Sequence, residues 1–333
     1  MNRRDTLLAL LALSSALAPW RSFAQQQPRV WRIGAISLGS AGPNEISAAF
    51  LERLRELGYV EGTNLIIERH YAAGDVTRLP QMASDLVRLR VDLIIAHSNY
   101  IAEVAKRATR TIPIVAPAAA DPVGSGLAKS LARPGDNVTG LSTMTPELAG
   151  KKLQLLRDII PDLRRVAVLA LAHATEPGFA TGARLLLEQL QQPAQQLGIT
   201  ILPQAAGVAA DIRKAFAAMR SEGAKALIVQ ASALSWDHRK LIAELAAQQH
   251  LPAIYDAKLF VEAGGLISYG PDFVAMYRRS AELVDKILKG ANPAEIPFEQ
   301  PNKYELVINL KTAKALGIKI PQSILLRADQ VIE

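Results

Sequence analysis

The sequence predicts an α/β protein built as two doubly wound parallel-sheet lobes joined by a three-crossing hinge. Three observations carry that prediction. Short apolar runs alternate with longer segments of helical period, the pattern of parallel α/β units. The second half of the chain echoes the first at a nearly constant spacing. Three segments, near residues 140, 270 and 300, are placed to carry the chain between the halves.

The first residues bear on compartment. "MNRRDTLLALLALSSALAPWRSFAQ" has a basic start at Arg3 and Arg4, an apolar stretch from Leu7 to Leu17, and small residues Ser22 and Ala24 around Phe23. This is the layout of a cleavable export signal, here residues 1–24 with the cut near Ala24. The Arg3-Arg4 pair followed by Leu7-Leu8 also fits a twin-arginine route. The apolar stretch is shorter than the roughly 20 residues a spanning helix needs, so a membrane anchor is not expected. The chain has no cysteine, which excludes a lipid anchor on an N-terminal Cys, disulfides and thiolate metal sites. A mature protein in the periplasm is the expectation. Loss of residues 1–24 takes away Arg3, Arg4, Arg21 and Asp5, lowering the net charge from +7 to +5. The remaining charge is scattered, with no basic run interleaved with aromatics, so no nucleic-acid partner is expected.

The predicted strands of the first half are "VWRIGAIS", "NLIIERHY", "DLIIAHS" and "IPIVAPA"; those of the second are "RVAVLALA", "GITILPQA", "ALIVQAS" and "LPAIYDA". Arg32 aligns with Arg165 at a shift of 133, and Leu93-Ile-Ile-Ala-His-Ser98 with Leu227-Ile-Val-Gln-Ala-Ser232 at a shift of 134. One βαβα unit is written twice. After the fourth strand, Gly124 to Ala132 is read as a short helix and "RPGDN" as a turn. "NVTGLST" is then a strand leading into the helix "PELAGKKLQLLRDIIP". "GGLISYGPD" precedes the amphipathic helix "FVAMYRRSAELVDKILKG", which returns to the first lobe, and "EQPNKYELVINLKTAKALG" adds a strand and a helix. The expected lobes are 29–140 with 271–297, and 141–268 with 303–333. Such a hinge suits closure around a small molecule.

"DPVGSGL", "RPGDNVTG" and the closing "INLKTAKALG" together carry a likeness that runs from about Arg32 to the C-terminus. In these segments the chain resembles the ABC-transporter substrate-binding protein family, some of whose members are receptors for tryptophan and similar amino acids. The resemblance implies a type I periplasmic-binding-protein fold and delivery of cargo to the transmembrane subunits of an ABC permease.

Enzymatic motifs are missing. Gly34, Gly39 and Gly42 lack both the dinucleotide spacing and the Lys-Ser/Thr of a phosphate loop. There is no G-x-S-x-G elbow, and the five histidines show no paired metal spacing. No enzyme activity, cofactor or metal is expected.

Binding chemistry is expected instead at the carboxyl ends of the strands, where helix N-termini offer free N–H groups. Ser37, Ser40 and Asn44 follow the first strand; His97, Ser98 and Asn99 the third; Asp121 the fourth. Thr143 closes the crossing strand. In the second lobe His173 follows the first strand, Ser232 the third and Asp256 the fourth, with Tyr269 in the next segment. Each Ser, Asn or Asp has a plainer role as a helix cap or turn former. Through the repeat, Ser98 and Ser232 face the cleft from opposite sides. No Arg or Lys falls at a predicted strand mouth, so a ligand carboxylate is expected on backbone N–H groups and hydroxyls, and an ammonium on Asp121 or Asp256. A zwitterionic amino acid satisfies both; a sugar fits less well in a chain with 5% aromatic residues. The function read from the sequence is capture of a small solute, an amino acid or related compound, by a monomer that serves an ABC importer. A periplasmic sensor docking on a membrane kinase or chemoreceptor, and an exported enzyme, stand as alternatives.

Overall fold

The computed structural model describes residues 29–42, 44–143, 145–170 and 180–333. The expected signal, residues 1–24, and His173 lie outside the described residues. The first half alternates β1 (Trp31–Ser37), α1 (Glu45–Glu56), β2 (Leu65–Tyr71), α2 (Leu79–Arg88), β3 (Leu93–Ala96), α3 (Asn99–Ala108), β4 (Ile114–Ala119) and β5 (Val138–Ser142). The second begins with α4 (Thr145–Ile159), β6 (Arg165–Ala170), α5 (Ala180–Leu197), β7 (Thr200–Ala205), α6 (Ala209–Ser221) and β8 (Ala226–Val229). It continues through α7 (Ala233–Asp237), α8 (Arg239–Gln248), β9 (Ala253–Tyr255), α9 (Lys258–Glu262) and β10 (Ile267–Pro271). The chain ends with α10 (Phe273–Leu288), β11 (Tyr304–Asn309), α11 (Leu310–Ala315), α12 (Gln322–Leu325) and β12 (Gln330–Ile332).

The two sheets repeat one plan. The first has the order β2-β1-β3-β4-β5, and the second, read from its far edge, β7-β6-β8-β9-β10 with β11 and β12 added. Helices cover both faces of each sheet, so the central strands are buried throughout, at all four residues of β3 and all four of β8. That double burial is why they read as unbroken apolar runs. Among the described residues the strand pairings are parallel except β10 with β11, which runs antiparallel and extends the second sheet by two strands.

The first passage between lobes follows Ser142, the second follows Pro271, and the third lies between Glu299 and Tyr304. α10 returns the chain to the first lobe. Its Met276, Tyr277, Ala281, Val284, Ile287 and Leu288 form a buried stripe of helical period packed with Phe50, Leu54 and Val115. At the first two passages a glycine brings adjacent strands close. A Cβ on Gly140 in β5 would overlap the carbonyl of Ala116 in β4, and one on Gly270 in β10 would overlap the carbonyl of Asp256.

The expected helix from Gly124 to Ala132 is not formed. The segment is a chain of turns: the Asp121 carboxylate accepts from the Gly124 N–H at 2.7 Å, and Gly126 adopts φ +75°, which ends any helical run. Leu127 and Ala128 still bury in the first lobe's core, and the Lys106 ammonium donates to the carbonyls of Gly126 and Leu127 at 3.2 and 3.1 Å. The apolar spacing that suggests a helix therefore anchors a loop.

Candidate functional site

A cavity of about 270 Å³ lies between the carboxyl edges of the two sheets. Its size is near the lower end of the ~300–1,000 Å³ common for small-molecule sites. The first lobe contributes the β1–α1 turn, the start of α3, Tyr71 and, from α10, Tyr277; the second contributes Gln230 to Ala233, Trp236, Asp237 and Arg239. In the first lobe these are the ends of β1 and β3, between which the strand order reverses, the place where open parallel sheets bind ligands.

Eight of the residues expected at the site border this cavity: Ser37, Ser40, Asn44, His97, Ser98, Asn99, Thr143 and Ser232. Several also hold local structure. Ser98 and Ser232 sit in the same extended conformation, φ −162° and −158°, as N-caps of α3 and α7. Their hydroxyls accept from the N–H groups of Ile101 and Ser235 at 3.3 and 3.2 Å. Asn44 caps α1 by accepting from Ser47 N–H at 2.8 Å. The Ser37 hydroxyl accepts from Gly39 N–H at 3.1 Å, and Thr143 N–H donates to the Ala119 carbonyl at 2.7 Å.

Asn99 differs from these. Its amide N–H donates to the Asp121 carbonyl at 3.1 Å, while its Oδ1 is buried with no partner among the described residues. An unsatisfied buried acceptor costs about 1–3 kcal/mol, a cost that a ligand donor would remove.

Three expected residues lie elsewhere. Asp121 forms the turn described above and is not on the cavity wall. Tyr269 packs beside Tyr304, ring centroids 6.1 Å apart, against the second lobe's core. Asp256 is buried at 3% exposure, and its ammonium partner is internal: Oδ1 pairs with Lys152 Nζ, and Oδ2 accepts from Ala231 N–H at 2.8 Å. Lys152 has no exposed surface. The pair therefore supports the cavity wall at Ala231 and Ser232 from behind.

The cavity is also lined by aromatic residues and by groups that stand away from the strand ends. Tyr71, Tyr100, Trp236, Phe273 and Tyr277 all border it, so a chain poor in aromatics concentrates them here. Trp236 packs on Phe260 and, edge-on, on Phe273, with centroids 5.1 and 5.2 Å apart. His97 stacks on Tyr277 at 5.5 Å and shares a 3.0 Å hydrogen bond with its hydroxyl through Nδ1. Desolvation holds His97 down to about 4 and pushes Tyr277 up, so both rings are neutral at physiological pH. Glu103, one turn past Asn99, is held up to about 7, chiefly by burial and with Arg107 opposing. Arg239 enters from the start of α8, a position no strand end marks.

Contacts cross the cleft at the rim. Ser40 N–H donates to Asp237 Oδ2 at 2.8 Å, and Arg239 lies 3.6 Å from Glu45. The lobes are thus drawn together over the cavity.

Two lobes of one topology closing on a polar, aromatic-lined cavity define a solute-binding protein of the type I periplasmic fold. The chain belongs to the ABC transporter substrate binding protein family, whose sequence profile matches residues 38–332. It is 27% identical over 270 residues to a tyrosine-binding protein of Clostridioides difficile, covering 81% of this chain and 76% of that one. Among solved structures, it resembles a conserved domain protein from Vibrio cholerae, with 29% identity and a TM-score of 0.81 over 91% of this chain and 100% of the other. It also resembles an ABC domain from Streptococcus pneumoniae in complex with L-Trp, with 27% identity and a TM-score of 0.80 over the same shares. The protein is a substrate-binding protein of an ABC transporter. No described helix is long and apolar enough to cross a membrane.

Proposed function

We propose that this protein captures an L-α-amino acid with an aromatic or large apolar side chain and presents it, unchanged, to an ABC importer's transmembrane subunits. The observation that carries the reading is the pairing of five aromatic side chains with the buried, unpartnered Asn99 Oδ1 on one cavity. Aromatic walls take up a ring or apolar chain, and Oδ1 requires a ligand N–H or O–H. Arg239 and the hydroxyls of Ser98 and Ser232 border the same space and suit a carboxylate. The names of the relatives support the same class: one is a tyrosine-binding protein and one was solved with L-Trp. Under this reading the chain is exported, acts in the periplasm as a monomer, and bends at its three passages, with lobes 29–140 with 271–297 and 141–268 with 303–333.

Calorimetric titration against a panel of L-amino acids, their D-enantiomers and hexoses tests the proposal. L-tyrosine, L-tryptophan or another large apolar L-amino acid should bind most tightly, and be recovered chemically intact. Tighter binding of a hexose than of any amino acid would refute it.

A further inference from the structure

We infer that Asn99 and Glu103 together form the subsite for the ligand's ammonium group, and that binding there expels a proton from Glu103. The inference rests on the amino-acid reading above and assigns that ligand's positive end to one face of α3.

The two residues are four apart on α3, so their side chains lie one above the other on the same side of the helix, and both border the cavity. Together they offer acceptors: a buried carbonyl oxygen without a partner among the described residues, and a carboxylate. The Glu103 side chain is 17% exposed, and its ion-pair partner among the described residues is Arg107 at 4.0 Å, which is itself 62% exposed. The other carboxylates on the cavity wall are engaged. Asp237 accepts from Ser40 N–H, and Glu45 lies against Arg239 and is 55% exposed. Asp121 and Asp256, the carboxylates that strand-end position favours, do not border the cavity. A primary ammonium, with three donors and a positive charge, completes the Asn99–Glu103 pair.

Charged groups on the elements packed against α3 are paired among themselves. They are Asp85 with Arg88 on α2 and Arg184 with Glu188 on α5; β3 and β4 carry none. On α3 itself Lys106 pairs with Asp136 and Arg107 lies by Glu103. At the head of α3 the Asp121 carboxylate accepts from Gly124 N–H, His97 stays neutral above about 4, and burial pushes Tyr277 up. Glu103 is thus the group on this wall that titrates near neutrality, at about 7. An ammonium beside it favours the carboxylate and lowers that value, so ligand binding releases a proton and affinity rises with pH.

The test is calorimetric titration of L-tyrosine and L-tryptophan at pH 6 and pH 8, in two buffers of different ionisation enthalpy, with wild type and Glu103→Gln. Wild type should bind about tenfold more weakly at pH 6 than at pH 8 and release up to about one proton at pH 6. Glu103→Gln should bind at least about tenfold more weakly than wild type at pH 8, with a flat pH profile and no proton release. For 3-(4-hydroxyphenyl)propanoate, which lacks the ammonium, the two proteins should differ by less than about twofold. Tight wild-type binding with a pH profile and proton release unchanged by Glu103→Gln would overturn the subsite and leave the amino-acid reading standing. If wild type bound no α-amino acid at either pH, both would fall. The variant's folding is checked without ligand. A carboxyl raised in the folded state adds stability at low pH that is lost as pH rises through about 7. Empty Glu103→Gln should therefore melt above empty wild type at pH 8, and the gap should narrow as the pH falls toward 5. A lower melting temperature at pH 8 would count against a desolvated Glu103.

Discussion

The two lobes carry the same strand order and place like residues at like positions, yet they treat those residues differently. Asp121 and Asp256 both follow the fourth strand of their unit, although in strand register it is Ala116 that stands where Asp256 does. In the first lobe that aspartate shapes a half-exposed turn, accepting from Gly124 N–H. In the second it is buried, pairs with Lys152 from the opening helix, and holds Ala231 on the cavity wall. Ser98 and Ser232 keep the same capping geometry, but the helices they cap diverge. α3 runs ten residues and sends Asn99 and Glu103 along the cavity, whereas α7 stops after five. The chain turns at His238, φ −110° and ψ 20°, and restarts as α8, bringing Trp236, Asp237 and Arg239 to the cavity. Duplication thus preserves the scaffold, while its two copies supply different chemistry.

The two aspartates should respond most differently to substitution. Removing one member of the buried pair leaves the other's charge uncompensated, so Asp256→Asn or Lys152→Met should each cost about 3–5 kcal/mol in urea unfolding. The double variant Lys152→Met/Asp256→Asn should recover most of that loss, because Asn can still accept from Ala231 N–H. Single variants within 1 kcal/mol of wild type would mean that the pair contributes little.

The glycines at the first two passages should behave alike, since both allow close approach of one strand to the next. Gly140→Ala and Gly270→Ala each force a methyl into a neighbouring carbonyl and should cost about 1–3 kcal/mol. Gly140 also sits at φ +157°, at the edge of the range that side chains avoid, which places it toward the upper end. If only one of the two variants were destabilised, the equivalence of the passages would fail.

At the caps, Ser98→Ala and Ser232→Ala should each lower the empty protein's stability by about 1 kcal/mol, read as melting temperature. Any loss of ligand affinity then measures what each hydroxyl does beyond capping, about 0.5–1.5 kcal/mol for a neutral hydrogen bond. Loss of affinity with unchanged melting would show that ligand contact, not capping, is the main role.

The scaffold was legible because strands buried on both faces must be apolar and because the repeat puts Ser232 where Ser98 sits. What stayed hidden depends on tertiary contacts. Lys152 and Asp256 are 104 residues apart, and neither reveals the other locally. A clue existed: Lys152 shares a helical stripe with Leu148, Leu155 and Ile159, where a lysine needs a partner. The break between α7 and α8 carries no Gly or Pro, so Arg239's place at the cavity could not be read. The turns after Asp121 have the sequence pattern of a helix because Leu127, Ala128 and Leu131 have helical spacing, although they pack a loop onto the core. Tyr71, Phe273 and Tyr277 meet at the cavity through tertiary packing, which a 5% aromatic content does not report.

Asp121 should tolerate substitution best. Asp121→Asn makes the same change of atoms as Asp256→Asn at the aspartate that follows the first lobe's fourth strand, in a half-exposed turn with no ion-pair partner among the described residues. Its structural task is to accept from Gly124 N–H and, through its backbone carbonyl, from Asn99 and Ser125. An asparagine side chain accepts in the same turn geometry, and the carbonyl is untouched. Stability should therefore stay within about 0.5 kcal/mol of wild type, the range for substitutions away from buried networks. Ligand affinity should also hold, because Asp121 does not border the cavity. A loss of affinity beyond about threefold in titration would return the ammonium to Asp121, as strand-end position alone suggests, and remove the asymmetry between the two copies. Unchanged binding beside a strongly destabilised Asp256→Asn would show that one chemical substitution after the fourth strand of each lobe has two costs, set by burial and partner.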